Sequence, residues 1–267
     1  MKLLGLHHVT AITSDSKLNH HFYTKILMMR LVKKTVNFDD PRVYHLYYAD
    51  KNASTGSLMT FFGYEGSHKG VNGEGSAYKV GFSIPKGSLK EYEKNIKLHN
   101  YPYQIKDNKL QITDPDGLEL ELEESDVKDI KISKIYAYSV NDDFYDFLSF
   151  KNYELPDGFK FIMNKSNKTT VQGAGSIHHV ALAIKNSTEQ VKFRLQLLDN
   201  NIHVSPVMER FYFKSIYFPD PTGLLLEVAT DGPGMHIDED DPGKTLVLPK
   251  WLENQREQIK KLLPSLK

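Results

Sequence analysis

Four stretches of the chain alternate apolar with polar or small residues over the length of a short strand: 5–13, 76–84, 131–140 and 176–184. The first, second and fourth lead through a polar turn into segments of helical period at 17–29, 89–98 and 188–198. Shorter β-type runs follow at 44–48, 58–62, 118–122, 215–218 and 224–229. One strand, one helix and about three strands make a βαβββ unit, recurring at roughly 45 to 70 residues, near the range of internal repeats. The unit at 131–173 is the shortest and is expected to lack part of the pattern. Past residue 231 the repeat gives way to loop sequence, including the acidic stretch 238–242, and then to an expected amphipathic helix at 251–263.

The repeat is also visible letter by letter. GLHHV at 5–9 parallels SIHHV at 176–180, and DPDGLELE at 114–121 parallels DPTGLLLE at 220–227. In each Asp-Pro-x-Gly sequence Pro fixes φ and Gly permits the tight reversal, so both are read as hairpin turns between strands. The fold class that follows is α+β, with four units of one kind.

Strand alternation then sorts the histidines. In the first strand Leu6, His8, Thr10 and Ile12 are expected on one face, and His7, Val9 and Ala11 on the other. In the fourth unit His179, Ala181 and Ala183 share the face equivalent to that of His8, whereas His178 falls with Val180, Leu182 and Ile184. His8 and His179 thus sit at equivalent positions among small neighbours, with room for an ion and a ligand. His7 and His178 are read as structural side chains. Glu227 interrupts the apolar strand LLLEVA, and a carboxylate buried there needs a strong partner, since an unpaired charge costs several kcal/mol. A divalent metal is such a partner. Two imidazoles and one carboxylate form the facial set of non-haem Fe(II), which leaves open positions for dioxygen and a bidentate substrate. His20 and His21, on an expected helix, and His68, in a Gly-rich loop, are weaker candidates; Glu121, whose unit has no His in its first strand, is read as a relic or a surface residue.

Composition narrows the partners. The 267 residues carry 34 Lys and Arg against 34 Asp and Glu, which removes the basic footprint of a general nucleic-acid or membrane-surface binder. With no cysteine, disulfides, thiolate clusters and Cys nucleophiles are excluded, so any metal must be held by His, Asp and Glu. The opening MKLLGLHHVTAIT lacks a signal-peptide core, and no stretch approaches the roughly 20 apolar residues of a membrane span. A cytoplasmic protein acting on a small molecule is expected, without nucleic-acid or membrane partners; a homodimer is compatible with the sequence.

The strand-helix opening HHVTAITSDSKLNHHFYTKILMMRLVKKTVNF, the later IHHVALAI and the segment IYFPDPTGLLLEVA resemble the vicinal oxygen chelate superfamily of glyoxalase I, fosfomycin-resistance transferases and extradiol dioxygenases. The runs LVKKTVNFDD at 31–40, YHLYY at 44–48 and LPKWL at 248–252 are similar to a bacterial subgroup of ring-cleaving dioxygenases linked to hydroquinone and quinone tolerance. The resemblance implies metal ligands at His8, fourteen positions before Phe22 of the helix motif, at His179 and at Glu227. It also implies a substrate-binding tyrosine ten positions before the Glu, at Tyr217. The second carboxylate of glyoxalase I would fall near Thr60, where there is none, which favours an oxygenase with three protein ligands. The acid-base histidines of ring-cleaving relatives would fall on Asn164 and Met208, leaving proton transfer unassigned among His45, Tyr212 and His203. A site shared by His8, His179 and Glu227 requires the first unit to pair with the fourth and the second with the third. The expected architecture is two paired open-barrel, glyoxalase-like modules, with an N-terminal module at 1–125 and a C-terminal one at 126–267.

The expected function is a non-haem Fe(II)-dependent, extradiol-type ring-cleaving dioxygenase acting on a catechol or hydroquinone, in the detoxification of such aromatics. Tyr44, Tyr47, Phe61, Phe211 and Phe213 would supply aromatic surface for a flat substrate. Zn, Mn or Ni in the same three ligands would suit the alternative of a glyoxalase-type lyase, isomerase or thiol transferase. A non-catalytic binder of aromatics is the third reading.

Overall fold

The computed structural model describes residues 2–238 and 243–266. The first unit comprises β1 (Gly5–Thr13), α1 (Ser16–His21), β2 (Arg30–Asn37), β3 (Asp40–Ala49) and β4 (Leu58–Gly63). The second comprises β5 (Ser76–Pro85), α2 (Leu89–Leu98), β6 (Tyr103–Lys106), β7 (Lys109–Thr113) and β8 (Glu119–Ser125). The third is reduced to β9 (Lys131–Tyr138), α3 (Asp142–Phe147) and β10 (Lys160–Met163). The fourth comprises β11 (Ile177–Ile184), α4 (Ser187–Asp199), β12 (Met208–Glu209), β13 (Lys214–Pro219) and β14 (Leu225–Thr230). A 3₁₀ turn at Lys250–Gln255 and α5 (Arg256–Leu262) divide the expected C-terminal helix in two. Of the acidic loop at 238–242, only Asp238 lies within the described residues.

Local chemistry starts the helices. The side chains of Asp15, Asn141 and Asn186 accept the backbone N–H groups of Leu18, Phe144 and Glu189, closing the first turns of α1, α3 and α4. The expected helix at 17–29 is shorter: α1 widens into a π-helical turn over Phe22–Ile26 and stops as Met28 takes φ 55°.

The strands form one eight-stranded sheet, β12-β13-β14-β11-β1-β4-β3-β2, and one six-stranded sheet, β10-β9-β5-β8-β7-β6. The first unit therefore pairs with the fourth and the second with the third, as the shared site required. The connection at residues 126–130 separates β8 from β9, and each sheet draws strands from both sides of it. The main core lies between sheets and helices, with Val9, Phe22, Phe82, Ile135, Val180, Phe193 and Leu226 fully buried. Burial of each such side chain contributes about 1.5–3 kcal/mol.

The Asp-Pro-x-Gly turns do more than reverse the chain. Asp114 accepts the N–H groups of Asp116 and Leu118, and Asp220 those of Thr222 and Leu224. Their second oxygens reach across to the neighbouring units, Asp114 accepting from Tyr23 and Asp220 from Tyr145. Each turn thus braces the two sheets against one another.

Strict alternation fails at both His-His pairs. The β1–β11 pairing steps from Leu6↔Leu182 to His8↔Ala181 and from Thr10↔His179 to Ala11↔Ile177, leaving His7 and His178 as unpaired extra residues. These are β-bulges, and they change which face the following residues occupy. Leu6 accordingly joins Val9 in the core, and Ile177 joins Val180. His7 and His178, expected on the face opposite His8 and His179, instead stay on their side, each outer Nδ1 2.8 Å from that of the inner ring.

Candidate metal centre

Three neighbouring strands bring the candidate ligands together. His8 on β1 lies opposite Ala181 on β11, and Ala181 lies beside Glu227 on β14. The small side chain of Ala181 lets the two larger ones close over it, while His179, two residues earlier, approaches from the same strand. The Nε2 atoms of His8 and His179 are 3.3 Å apart. Glu227 Oε2 lies 3.5 Å from His8 Nε2 and 3.0 Å from His179 Nε2. All three residues are buried, Glu227 to 0% exposure.

A second layer fixes these side chains. Ser215 on β13 donates its hydroxyl to Glu227 Oε1, leaving Oε2 buried without a hydrogen-bond partner. The Nδ1 atoms of His7 and His8 are 2.8 Å apart, and so are those of His178 and His179. Each contact is a hydrogen bond that needs one proton, on either ring. With it on the inner ring, the Nε2 lone pairs of both inner imidazoles face Glu227 Oε2, which is the tautomer a metal ligand needs. Burial lowers His7 and His8 and pushes His178 down to about 3, so these rings are neutral. Burial works to raise Glu227, but the imidazoles of His8 and His179 and the Ser215 hydroxyl hold it well below the usual carboxylate range. Three electron-rich atoms converging in a buried site, one without a partner, suit a divalent cation better than one another.

The centre forms the floor of a cavity of about 350 Å³, within the size range of small-molecule sites. Its walls include Phe38, Phe62 and Tyr64 with the expected Tyr47 and Phe213. Tyr44 and Phe61 belong to the core instead, and Phe211 packs at the edge of a smaller cluster. Tyr217 faces the cavity and pairs in register with Glu227 across β13 and β14. Its oxygen accepts from Arg210 Nε at 3.2 Å, and Arg210 is tied to Asp39 at 3.0 Å. Burial, reinforced by the Glu227 charge, raises the Tyr217 phenol well above its usual value, so it remains protonated and can donate.

Among the candidates for proton transfer, His45 lines the cavity, whereas the Tyr212 hydroxyl is bonded to Asp238 and His203 is exposed in a loop. His45 shares hydrogen bonds of 3.0 Å with the Tyr47 hydroxyl and with Thr60, and Thr60 lies 2.8 Å from the Thr10 hydroxyl. Thr60 pairs with Thr10 as Glu227 pairs with Ala181, so a hydroxyl stands where a fourth carboxylate would have been. Asn164 is exposed on the reduced third unit, bonded to Tyr78. Neither His20, His21 nor His68 joins the site. Arg210, Asp39 and Phe62 lie on the cavity wall without having stood out in the sequence, because they belong to polar or apolar patterns that strands and loops carry everywhere.

Over 100% of its length the chain is 34% identical to a Bacillus subtilis (strain 168) protein named "Putative ring-cleaving dioxygenase MhqE", all of which it covers. The chain belongs to this ring-cleaving dioxygenase family. A solved structure described as a "putative dioxygenase" from Bacillus subtilis matches the family fold with a TM-score of 0.90 at 30% identity, over 100% of this chain and 98% of the other. "Chlorohydroquinone/hydroquinone 1,2-dioxygenase" of Sphingobium indicum is 24% identical, with 84% of each chain covered. Zea mays glyoxalase I shares the fold, with a TM-score of 0.64 at 14% identity over 85% of this chain and 92% of that one. The chain thus has a glyoxalase-type fold. No protein-family model matches the chain. Among the described residues, no helix is long and apolar enough to cross a membrane.

Proposed function

We propose that the chain is an extradiol-type, non-haem Fe(II)-dependent dioxygenase that opens the ring of a hydroquinone or catechol, with His8, His179 and Glu227 as metal ligands and Tyr217 orienting the substrate. The observation that carries this reading is the buried, partnerless Glu227 Oε2 facing two imidazole nitrogens within 3.5 Å at the foot of an aromatic cavity. When bound, Fe(II) supplies a Lewis acid that favours loss of a phenolic proton and a redox centre for dioxygen chemistry.

The chain supplies the rest. Phe62, Tyr64, Tyr47 and Phe213 offer ring faces and edges to a flat substrate and exclude water from its oxygens. Tyr217, whose oxygen is occupied by Arg210, directs its own proton into the cavity, and the Arg210 guanidinium favours the anionic form of the bound phenol. His45 is the base by position: it lines the cavity, burial lowers it well below the usual histidine range and so keeps the ring neutral with a lone pair to accept a proton, and Tyr47 and Thr60 hold its two nitrogens in the wall. The phenolic proton passes to His45 across the cavity that this ring lines. The name of the Sphingobium relative supports a hydroquinone as substrate. Disposal of such redox-active aromatics in the cytoplasm belongs to the same reading.

The test is anaerobic loading with Fe(II) followed by oxygen uptake on a panel of hydroquinones and catechols. Uptake by the loaded wild type and its loss in His8→Ala, His179→Ala and Glu227→Ala are expected. A loaded protein that consumes no oxygen with any of these substrates, or variants that retain full uptake, would overturn the proposal.

A further inference from the structure

The six-stranded sheet repeats the metal cup with other side chains. β5 pairs with β9 as β11 pairs with β1, including the same slips: Tyr78 and Ser133 are left unpaired where His178 and His7 are in the first cup. Lys79 lies opposite Tyr136 as His179 lies opposite Thr10, and Gly81 opposite Lys134 as Ala181 opposite His8. Gly81 lies beside Glu121 on β8 as Ala181 lies beside Glu227 on β14. Lys79, Lys134 and Glu121 therefore occupy the positions of His179, His8 and Glu227. Lys109, paired with the residue two beyond Glu121, occupies the position of Ser215.

The side chains also converge as they do in the first cup. Glu121, expected as a relic or a surface residue, is 3% exposed. Its Oε2 lies 2.9 Å from Lys79 Nζ, while its Oε1 accepts from Tyr136 at 2.9 Å and Lys109 at 3.2 Å, with Lys134 Nζ 3.7 Å away. A carboxylate buried in this way needs a cation beside it. Burial works to raise Glu121, yet the hydrogen bonds from Lys79 and Tyr136 hold it at about 2. The ammonium groups of Lys79 and Lys134 reach Glu121 from the two imidazole positions and Lys109 from the place of Ser215, while Glu123 pairs with Lys134 and Lys109; three ammonium groups and two carboxylates leave one positive charge, the same as one divalent ion on the single carboxylate of the first cup.

We propose that this second cup is a metal centre in duplicate, in which Lys79 and Lys134 stand in place of the cation, so that the chain takes one divalent ion and imidazoles at these positions restore a second. The proposal rests on reading the first cup as a metal centre, and cobalt stoichiometry separates the two claims without recourse to activity. Metal-free full-length protein is titrated with Co(II), following the ligand-field absorbance and the bound metal per chain, for the wild type and for the triple variant Lys79→His, Lys109→Ser, Lys134→His. One equivalent in the wild type and two in the folded triple variant are expected. Two equivalents in the wild type, or one in the triple variant, overturn the proposal and leave the first cup intact. None in the wild type overturns the first cup and the proposal with it, whatever the variant binds. Circular dichroism establishes folding. Should the triple variant not fold, Lys79→His with Lys134→His, which supplies both imidazoles and keeps Lys109 donating to Glu121 Oε1 in the place of Ser215, is expected to bind a second, weaker equivalent, and its absence at saturating cobalt overturns the proposal.

Discussion

Replacing His178 with alanine probes how firmly the centre holds its ligand geometry. In the wild type the Nδ1 atoms of His178 and His179 share a proton across 2.8 Å, and the outer ring meets the edge of Phe62 at a centroid distance of 5.5 Å. Alanine removes the acceptor. The inner ring is then free to carry its proton on Nε2, the atom that must be bare to bind a metal, and to rotate away from Glu227. Loss of such an outer partner costs roughly 10–100-fold in metal affinity, which is about 1.4–2.7 kcal/mol. The loss of the Phe62 contact costs stability of only about 0.5–1.5 kcal/mol, so the protein stays folded at ordinary temperature. A competition titration of Co(II) against a chelating dye, with thermal unfolding measured in parallel, reads the two effects separately. His178→Gln, whose amide oxygen can accept from His179, is expected to recover part of the affinity. A cobalt affinity unchanged in the folded alanine variant would refute the claim that the outer imidazole sets the tautomer of the inner one.

His45→Gln is expected to lower kcat by roughly 10²-fold, the usual contribution of a general base, while leaving metal affinity unchanged; an unaltered kcat would remove His45 from proton transfer. Tyr217→Phe deletes one donor to the substrate and should reduce kcat/KM by about tenfold, or 1.4 kcal/mol, with unchanged cobalt binding; a variant as efficient as the wild type would count against an orienting role. Asp114 provides a pH test of the brace between the sheets. Burial, with the neighbouring Asp116 charge, raises it from 3.8 to about 7, so between these values the folded chain holds a proton that the unfolded chain releases. Its contribution is therefore present below pH 3.8 and lost as pH rises toward about 7, a change on the order of a few kcal/mol. Urea midpoints across this window should show a fall that Asp114→Asn flattens, and identical slopes in the two proteins would contradict it.

Much of the arrangement was legible before any coordinates. Periodicity and the duplicated HHV and Asp-Pro-x-Gly sequences established four related units, because alternation and turn chemistry act over a few neighbouring residues. They also singled out His8, His179 and Glu227, since a carboxylate in an apolar strand needs a partner wherever the strand is buried. The joining of first to fourth and second to third units followed only from requiring one shared site, and the sheet hydrogen bonds bear that out. Other features depended on tertiary structure. The bulges that turn His7 and His178 toward the inner histidines arise from the register between strands about 170 residues apart, which neither strand encodes alone. The placement of Arg210 against Tyr217, and of three lysines around Glu121, likewise comes from pairing across strands. Sequence determined which residues could do chemistry, because that is a property of side chains and local spacing; the fold decided which of them meet, because proximity between distant segments is set by the pairing and packing of whole sheets.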